Sequence, residues 1–476
     1  SDSHPFRHIL TTPMDQMALD FFLVLPSGKR MELSLPKENS TVADMRAAAK
    51  ETLGHNFFKL ATSDARLLKD SEALATTVLQ DGDSVMAILQ EQPRIVATSQ
   101  SFALWYRGAD EVVTWGDPSH CDVSMVNHQL KDVKEITASH SAYAALLGDG
   151  SVVTWGEPKG GGDSEAVKDQ LHNVKEIAYT SGAFAALRED GSVVSWGNVQ
   201  CGSDSRCVQD QLYDVRLLKG AGSSCFSAIR LDGKLVTWSN PIISMDPSEK
   251  LEGCEDTLKQ AEQMFSTTHG FCALLPHGRV ICWGMDHWGT MDDINRLGHT
   301  NSLYDIEEIH STIFSFVARR ADGECFVWGG QGRETLEVQH ELKNVKKVAV
   351  TSEAFAALKE DGSVFTWGVA SGGGDSSSVQ DQLTNVKEIH GTHRAFAAIK
   401  EDGSVVTWGQ KECGGDSSHV QGQLQHVLHI AGTQYDIGCL SPGAFAAILE
   451  DGNVITWGLV TGGGDSSAVE AQLRRM

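Results

Sequence analysis

Proline is scarce and paired cysteine is missing. The 476-residue chain has 11 prolines against 47 glycines, which excludes a polyproline linker and favours many tight turns. Its ten cysteines (121, 201, 207, 225, 254, 272, 282, 325, 413, 439) show no Cys-x-x-Cys pair and no even spacing. A disulfide framework is therefore not expected; reduced thiols in the cytoplasm or nucleus are, with organellar import after leader cleavage as the alternative. No apolar run reaches 18 residues, which excludes a transmembrane helix and leaves a soluble globular class. Positive charge is also short. Lys and Arg number 39 against 63 Asp and Glu, for a net charge of -24, of which residues 1–93 carry -4 and the rest -20. So acidic a surface repels phosphate backbones, so direct nucleic-acid contact is not expected and a basic protein partner is the sharper reading. Residues 1–16 lack both a secretory apolar region and the acid-poor look of a transit peptide, and read as a tail.

What is present is a repeat. A Val-x-x-Trp-Gly pattern places Trp115, Trp155, Trp196, Trp238, Trp283, Trp328, Trp367, Trp408 and Trp457 at spacings of 39 to 49 residues. Nine of eleven tryptophans are thus one structural residue used nine times. The clearest copy, Asn385-VKEIHGTHRAFAAIKEDGSVVTWG-Gln410, predicts three strands: Val386 to Ile389, Ala395 to Lys400, and Ser404 to Trp408. Asp402-Gly403 between the last two is a hairpin signal that recurs in most copies, with His277-Gly278 as a variant. A two-residue turn would set Ala397 opposite Trp408 and Ile399 opposite Val406, a large-against-small fit. Both faces are then mostly apolar, which a sheet covered on both sides by like sheets explains, and radial repetition into a β-propeller is the economical arrangement. Each copy ends in a segment such as Ser377-SVQDQL that periodicity assigns to neither strand nor helix. The array runs from residue 94 to 476.

Residues 17–92 have a different grammar: two strands around Pro26-Ser27-Gly28, a helix opened by a Thr41/Asp44 capping box and closed by Gly54, and two further strands. That is a small α+β domain of order ββαββ.

With Thr41-VADMRAAAKETLG, Leu67-LKDSEAL and Leu79-QDGDSVMAIL, this domain resembles the ubiquitin-like (β-grasp) family. The resemblance sets the family's recognition patch on Pro26, Lys59, Met86 and Ile88. A Gly-Gly tail is missing, since Gln90-Glu91-Gln92-Pro93 runs into the repeats, so conjugation is not implied. The repeats, with their A-F-A-A-L-x-x-D-G-S-V-x-T-W-G grammar, resemble the regulator of chromosome condensation (RCC) family of β-propellers. Nine modules are counted where the family usually has seven blades. The resemblance implies several functions, among them nucleotide exchange on a small GTPase and docking within ubiquitin ligases; short module spacings leave little room for an exchange wedge, and a HECT catalytic domain is absent.

No catalytic, cofactor or metal site is nominated. Gly160-GGDS, Gly372-GGDS, Gly414-GDS and Gly462-GGDS read as turns rather than phosphate or calcium loops. His269, His277, His287, Cys272 and Cys282 lie close in sequence, but the two-residue register points the two cysteines to opposite faces, against a shared zinc or a disulfide. Serines and aspartates recur in every module, so none stands out as a nucleophile. Trp105, Tyr106, His287 and Trp288, outside the repeated tryptophan position, are the candidate partner-binding residues. The reading is a non-catalytic interaction scaffold or structural subunit, with a ubiquitin-pathway adaptor and a GTPase exchange factor as alternatives.

Overall fold

The computed structural model describes residues 18–25, 27–36, 40–53, 58–68, 72–89, 92–222, 224–239, 251, 253–285, 294, 302–330, 337–433 and 443–473. The chain divides into two compact units, one up to Gln92 and one from Pro93 onward. No described helix is long and apolar enough to cross a membrane.

In the first unit, strands β1 (Ala18–Val24), β2 (Arg30–Pro36), β3 (Phe58–Thr62) and β4 (Ser84–Leu89) form one sheet in the order β2-β1-β4-β3, with β1 and β4 parallel. Helix α1 (Val42–Leu53) begins as the capping box requires: the Thr41 N–H donates to Asp44 Oδ2 at 2.7 Å and the Asp44 N–H to Thr41 Oγ1 at 3.3 Å. It buries Val42, Met45 and Ala49 against Phe21, Leu23, Leu35, Leu60 and Val85. Gly54 and Pro26 lie outside the described residues.

The second unit contains, among the described residues, nine three-stranded antiparallel sheets, each built from consecutive strands. In module eight these are Val386–Gly391, Ala395–Lys400 and Val405–Gly409. The first strands of successive modules lie against one another around the ring, and that of module nine, Val427–Gly432, lies against that of module one, Arg94–Ala97. The segments after the third strands, ambiguous in sequence, are mostly 3-10 turns, such as Gln380–Gln382.

The hairpin register differs from the expected one by one residue. Lys400 N–H donates to Ser404 O and Gly403 N–H to Lys400 O, so the loop has three residues, Glu401 to Gly403, closed by Gly403 at φ +76°. Asp402 selects it by accepting from the Ser404 N–H (2.9 Å) and hydroxyl (2.6 Å). The slip exchanges partners: Phe396 faces Trp408, and Ala397 faces Thr407. Each repeated tryptophan therefore stacks on a Phe or Tyr across the hairpin, with ring centroids 4.9–5.8 Å apart, instead of sitting on alanine. The same slip sets Cys272 opposite Cys282 on one face; both are buried free thiols.

The Gly-rich loops are intermodular latches. The carbonyl of Gly373 in module seven accepts the Trp408 indole N–H of module eight at 3.0 Å, and a Cβ on Gly373 (φ +95°) would meet the Phe396 ring at 2.7 Å. Gly161, Gly202 and Gly414 take Trp196, Trp238 and Trp457 in the same way. Gly463 of module nine takes Trp115 of module one at 3.2 Å and lies against Phe102. The ring closes. This is a β-propeller, and the count among the described residues is nine rather than the seven of the resembled family.

Candidate functional site: the axial channel

The first strands surround an axial channel that widens at one end into a cavity of about 580 Å³ lined mainly by Ser, Thr and Gly. In its wall the strands touch backbone to backbone. A Cβ at Gly220, Gly391 or Gly432 would run into the carbonyl of Tyr179, Val350 or Gly391, and Ser266 and Ser311 hydroxyls donate to the Gly220 and Ser266 carbonyls at 2.8 and 2.6 Å. Around the cavity mouth a belt of seven backbone hydrogen bonds links modules one to eight: Ser99 N–H to His140 O, His140 to Ser181, Ser181 to Gly222, Gly222 to Thr267, Thr268 to Ile313, Ile313 to Ser352, and Ser352 to His393. Recurrent hydroxyls anchor it from beneath, as where Thr392 Oγ1 donates to Cys413 O at 2.8 Å.

The first strands also carry charge. Most carry a bulge at their second residue, and the third residue, the first back in register, is Glu135, Glu176, Glu308, Lys347, Glu388 and His429 in modules two, three, six, seven, eight and nine, with Leu217 in module four. Glu176 and Lys219 open onto channel water but are walled in by protein. That confinement pushes the Glu176 carboxyl up and the Lys219 ammonium down, each opposed by the other's charge. Burial also opposes charge on Glu308, but His310 Nε2 at 2.7 Å and Arg319 Nε at 3.0 Å outweigh it and hold the carboxyl below its usual range. His390 does the same for Glu388, 3.4 Å away. His429 keeps an exposed edge, but desolvation by the protein around it, with His390 second, pulls it down to about 4.

Nucleophiles are muted. Burial pushes Cys121, Cys225 and Cys325 up to about 12, so these thiols stay protonated.

The residues singled out from sequence scatter. The nine repeated tryptophans are all buried between modules. Trp105, nominated for partner contact, is 3% exposed and packs in the core between modules one and two, so no partner reaches it. Tyr106 is half-buried, which raises its hydroxyl pKa. His287 and Trp288 lie outside the described residues. In the first unit Lys59 pairs with Ile88 across β3 and β4; Ile88 is 38% exposed, Met86 half-buried, and the intervening Ala87 buried. Of the histidines and cysteines near residue 275, Cys272 and Cys282 face each other, while His277 sits in a turn at φ 62°.

Sequence reasoning missed Glu388, His390 and His429, whose ligand atoms all lie within 4.8 Å of one another. They stand 41 residues apart at most, one module length, and stacking the modules in register would have paired them.

No family model matches the chain, and no curated protein is similar to it. Among solved structures it is similar to Prp20p from Saccharomyces cerevisiae, at 13% identity over 75% of this chain and 92% of that one, with a TM-score of 0.38. The CRINKLY WD40 ectodomain of the Arabidopsis thaliana receptor kinase ACR4 is similar at 16% identity over 60% and 96%, TM-score 0.33. Over 16% of this chain, Caldiarchaeum subterraneum ubiquitin is similar at 24% identity, covering 98% of its own length, TM-score 0.15.

Proposed function

We propose that the chain is a non-catalytic protein-interaction scaffold whose propeller carries the partner surface at the mouth of the axial cavity. The belt of backbone hydrogen bonds carries this reading. It holds the loops around the cavity in fixed positions, so a partner segment entering there meets a preformed surface and little conformational freedom is lost on binding. Tyr179, 39% exposed on the cavity wall, offers the kind of aromatic contact that interfaces favour. The excess of acid over base after residue 93 favours a basic partner segment.

Affinity purification of the full chain from its source, followed by mass spectrometry at low and moderate salt, tests the reading. One stoichiometric set of proteins whose recovery falls in Tyr179→Ala and at higher salt supports it. Unchanged recovery in Tyr179→Ala removes the cavity mouth as the contact.

The exposure of Ile88 beside Met86 favours a second reading, in which the first unit recruits ubiquitin-pathway proteins. Loss of such proteins from the Ile88→Ala purification, with the propeller's set retained, would support it.

A further inference from the structure

We propose that Glu388, His390 and His429 form a binding site for a divalent transition-metal ion of the zinc class where the first strands of modules eight and nine lie side by side. Glu388 and His390 are two residues apart on one strand, so their side chains leave it on the same side. His429 occupies in module nine the position that Glu388 occupies in module eight, each being the third residue of its strand, directly after the bulge. The three ligand atoms lie within 4.8 Å of one another, and the two imidazoles meet edge to face at 5.1 Å and 89°. Tetrahedral ligands about 2.1 Å from a metal are roughly 3.4 Å apart, so side-chain adjustments of an ångström or so complete the geometry.

Three further features favour a metal over a plain polar contact. His390 Nε2 is buried, and the one polar contact it makes among the described residues is the long 3.4 Å approach to Glu388 Oε2. A nitrogen lone pair in that position is what a cation satisfies. Lys347 Nζ approaches the other carboxylate oxygen, Oε1, at 4.0 Å, which leaves Oε2 toward His390. Two imidazoles and one carboxylate suit zinc and its first-row neighbours and not magnesium or calcium, and the exposed side of His429 admits water as a fourth ligand.

The propeller supplies its own control. Module six has the same Glu-x-His pair, Glu308 and His310, but the position equivalent to His429 holds Lys347 in module seven, and Arg319 already occupies Glu308. A metal that merely sought Glu-x-His would choose both places. The proposal assigns it to one.

The test is calorimetric titration of the chelator-treated full chain with Zn²⁺, together with the visible spectrum on adding Co²⁺. One equivalent should bind with micromolar or tighter affinity, and cobalt should show no thiolate charge-transfer band. His429→Lys, which copies module seven, should weaken binding at least about tenfold, while His310→Ala should leave it unchanged. Circular dichroism confirms that each variant folds, and His390→Gln serves as the second variant if His429→Lys does not. Absence of saturable binding to the wild type, a thiolate band, or equal affinity in wild type and the folded ligand variant would overturn the assignment.

Discussion

A tryptophan used nine times is not nine times the same residue. Trp408 donates its indole N–H to Gly373 O at 3.0 Å, whereas the Trp155 indole N–H, facing a module whose loop is the helical turn Pro118–Cys121 instead of a Gly-rich latch, is buried with no acceptor among the described residues. Trp408 stacks on Phe396 and Trp155 on Tyr143. Trp408→Phe should therefore cost about 1–2 kcal/mol more in chemical denaturation than Trp155→Phe, because only the first leaves a buried carbonyl unpaired. Acid sensitivity is also a single-residue property. Burial, and secondarily Arg394, pulls His393 down to about 4, against about 6.5 for a free histidine. The unfolded chain thus binds a proton there more readily, so stability falls as pH drops from about 6.5 toward 4. His393→Gln should remove on the order of 1–2 kcal/mol of that loss at pH 5, read as a smaller fall in melting temperature between pH 7.5 and 5. The hairpin aspartates, such as Asp402 with its carboxyl held low by Ser404, lose their contribution only at still lower pH, so the two windows separate.

Elements were more legible than their register. The Trp-Gly period, the strand triplets and the Thr41/Asp44 cap could be read directly, because each rests on local chemistry repeated or self-contained in the chain. The hairpin slipped because Asp-Gly serves a two-residue turn and a three-residue bulged loop equally; only the backbone shows Glu401 joining the loop. That one residue also misplaced Trp408 and the Cys272/Cys282 pair. The latches escaped for another reason: what Gly373 and Gly463 contribute is the missing Cβ, visible only once the neighbouring module's phenylalanine is in place. Gly373→Ala should accordingly destabilise by about 2 kcal/mol or more, with amide exchange rising first in modules seven and eight. Gly422→Ala, where a Cβ meets nothing within 4 Å, should be neutral within about 0.5 kcal/mol. The cluster of Glu388, His390 and His429 needed the first strands of two modules side by side, a relation that no single module's text contains.

At the scale of the whole molecule, closure rests on one latch of the same kind as the others. Trp115 and Phe102 receive Gly463, and the first strand of module one receives that of module nine, with no strand exchanged between the two modules among the described residues. Gly463→Val should loosen this junction alone: amide exchange should rise in modules one and nine and stay low in module three, whose Trp196 keeps its Gly161 latch. Equal exchange in both regions of the variant would show that closure is shared around the ring.

Because every described propeller sheet is drawn from one uninterrupted stretch of chain, the junction between modules nine and one is physically equivalent to the others. The order of modules along the chain is then a convention of the gene rather than a requirement of the architecture. A circular permutant of the propeller, its natural ends joined by a linker and new ends opened in the turn between Gln382 and Thr384, should reach the same ring.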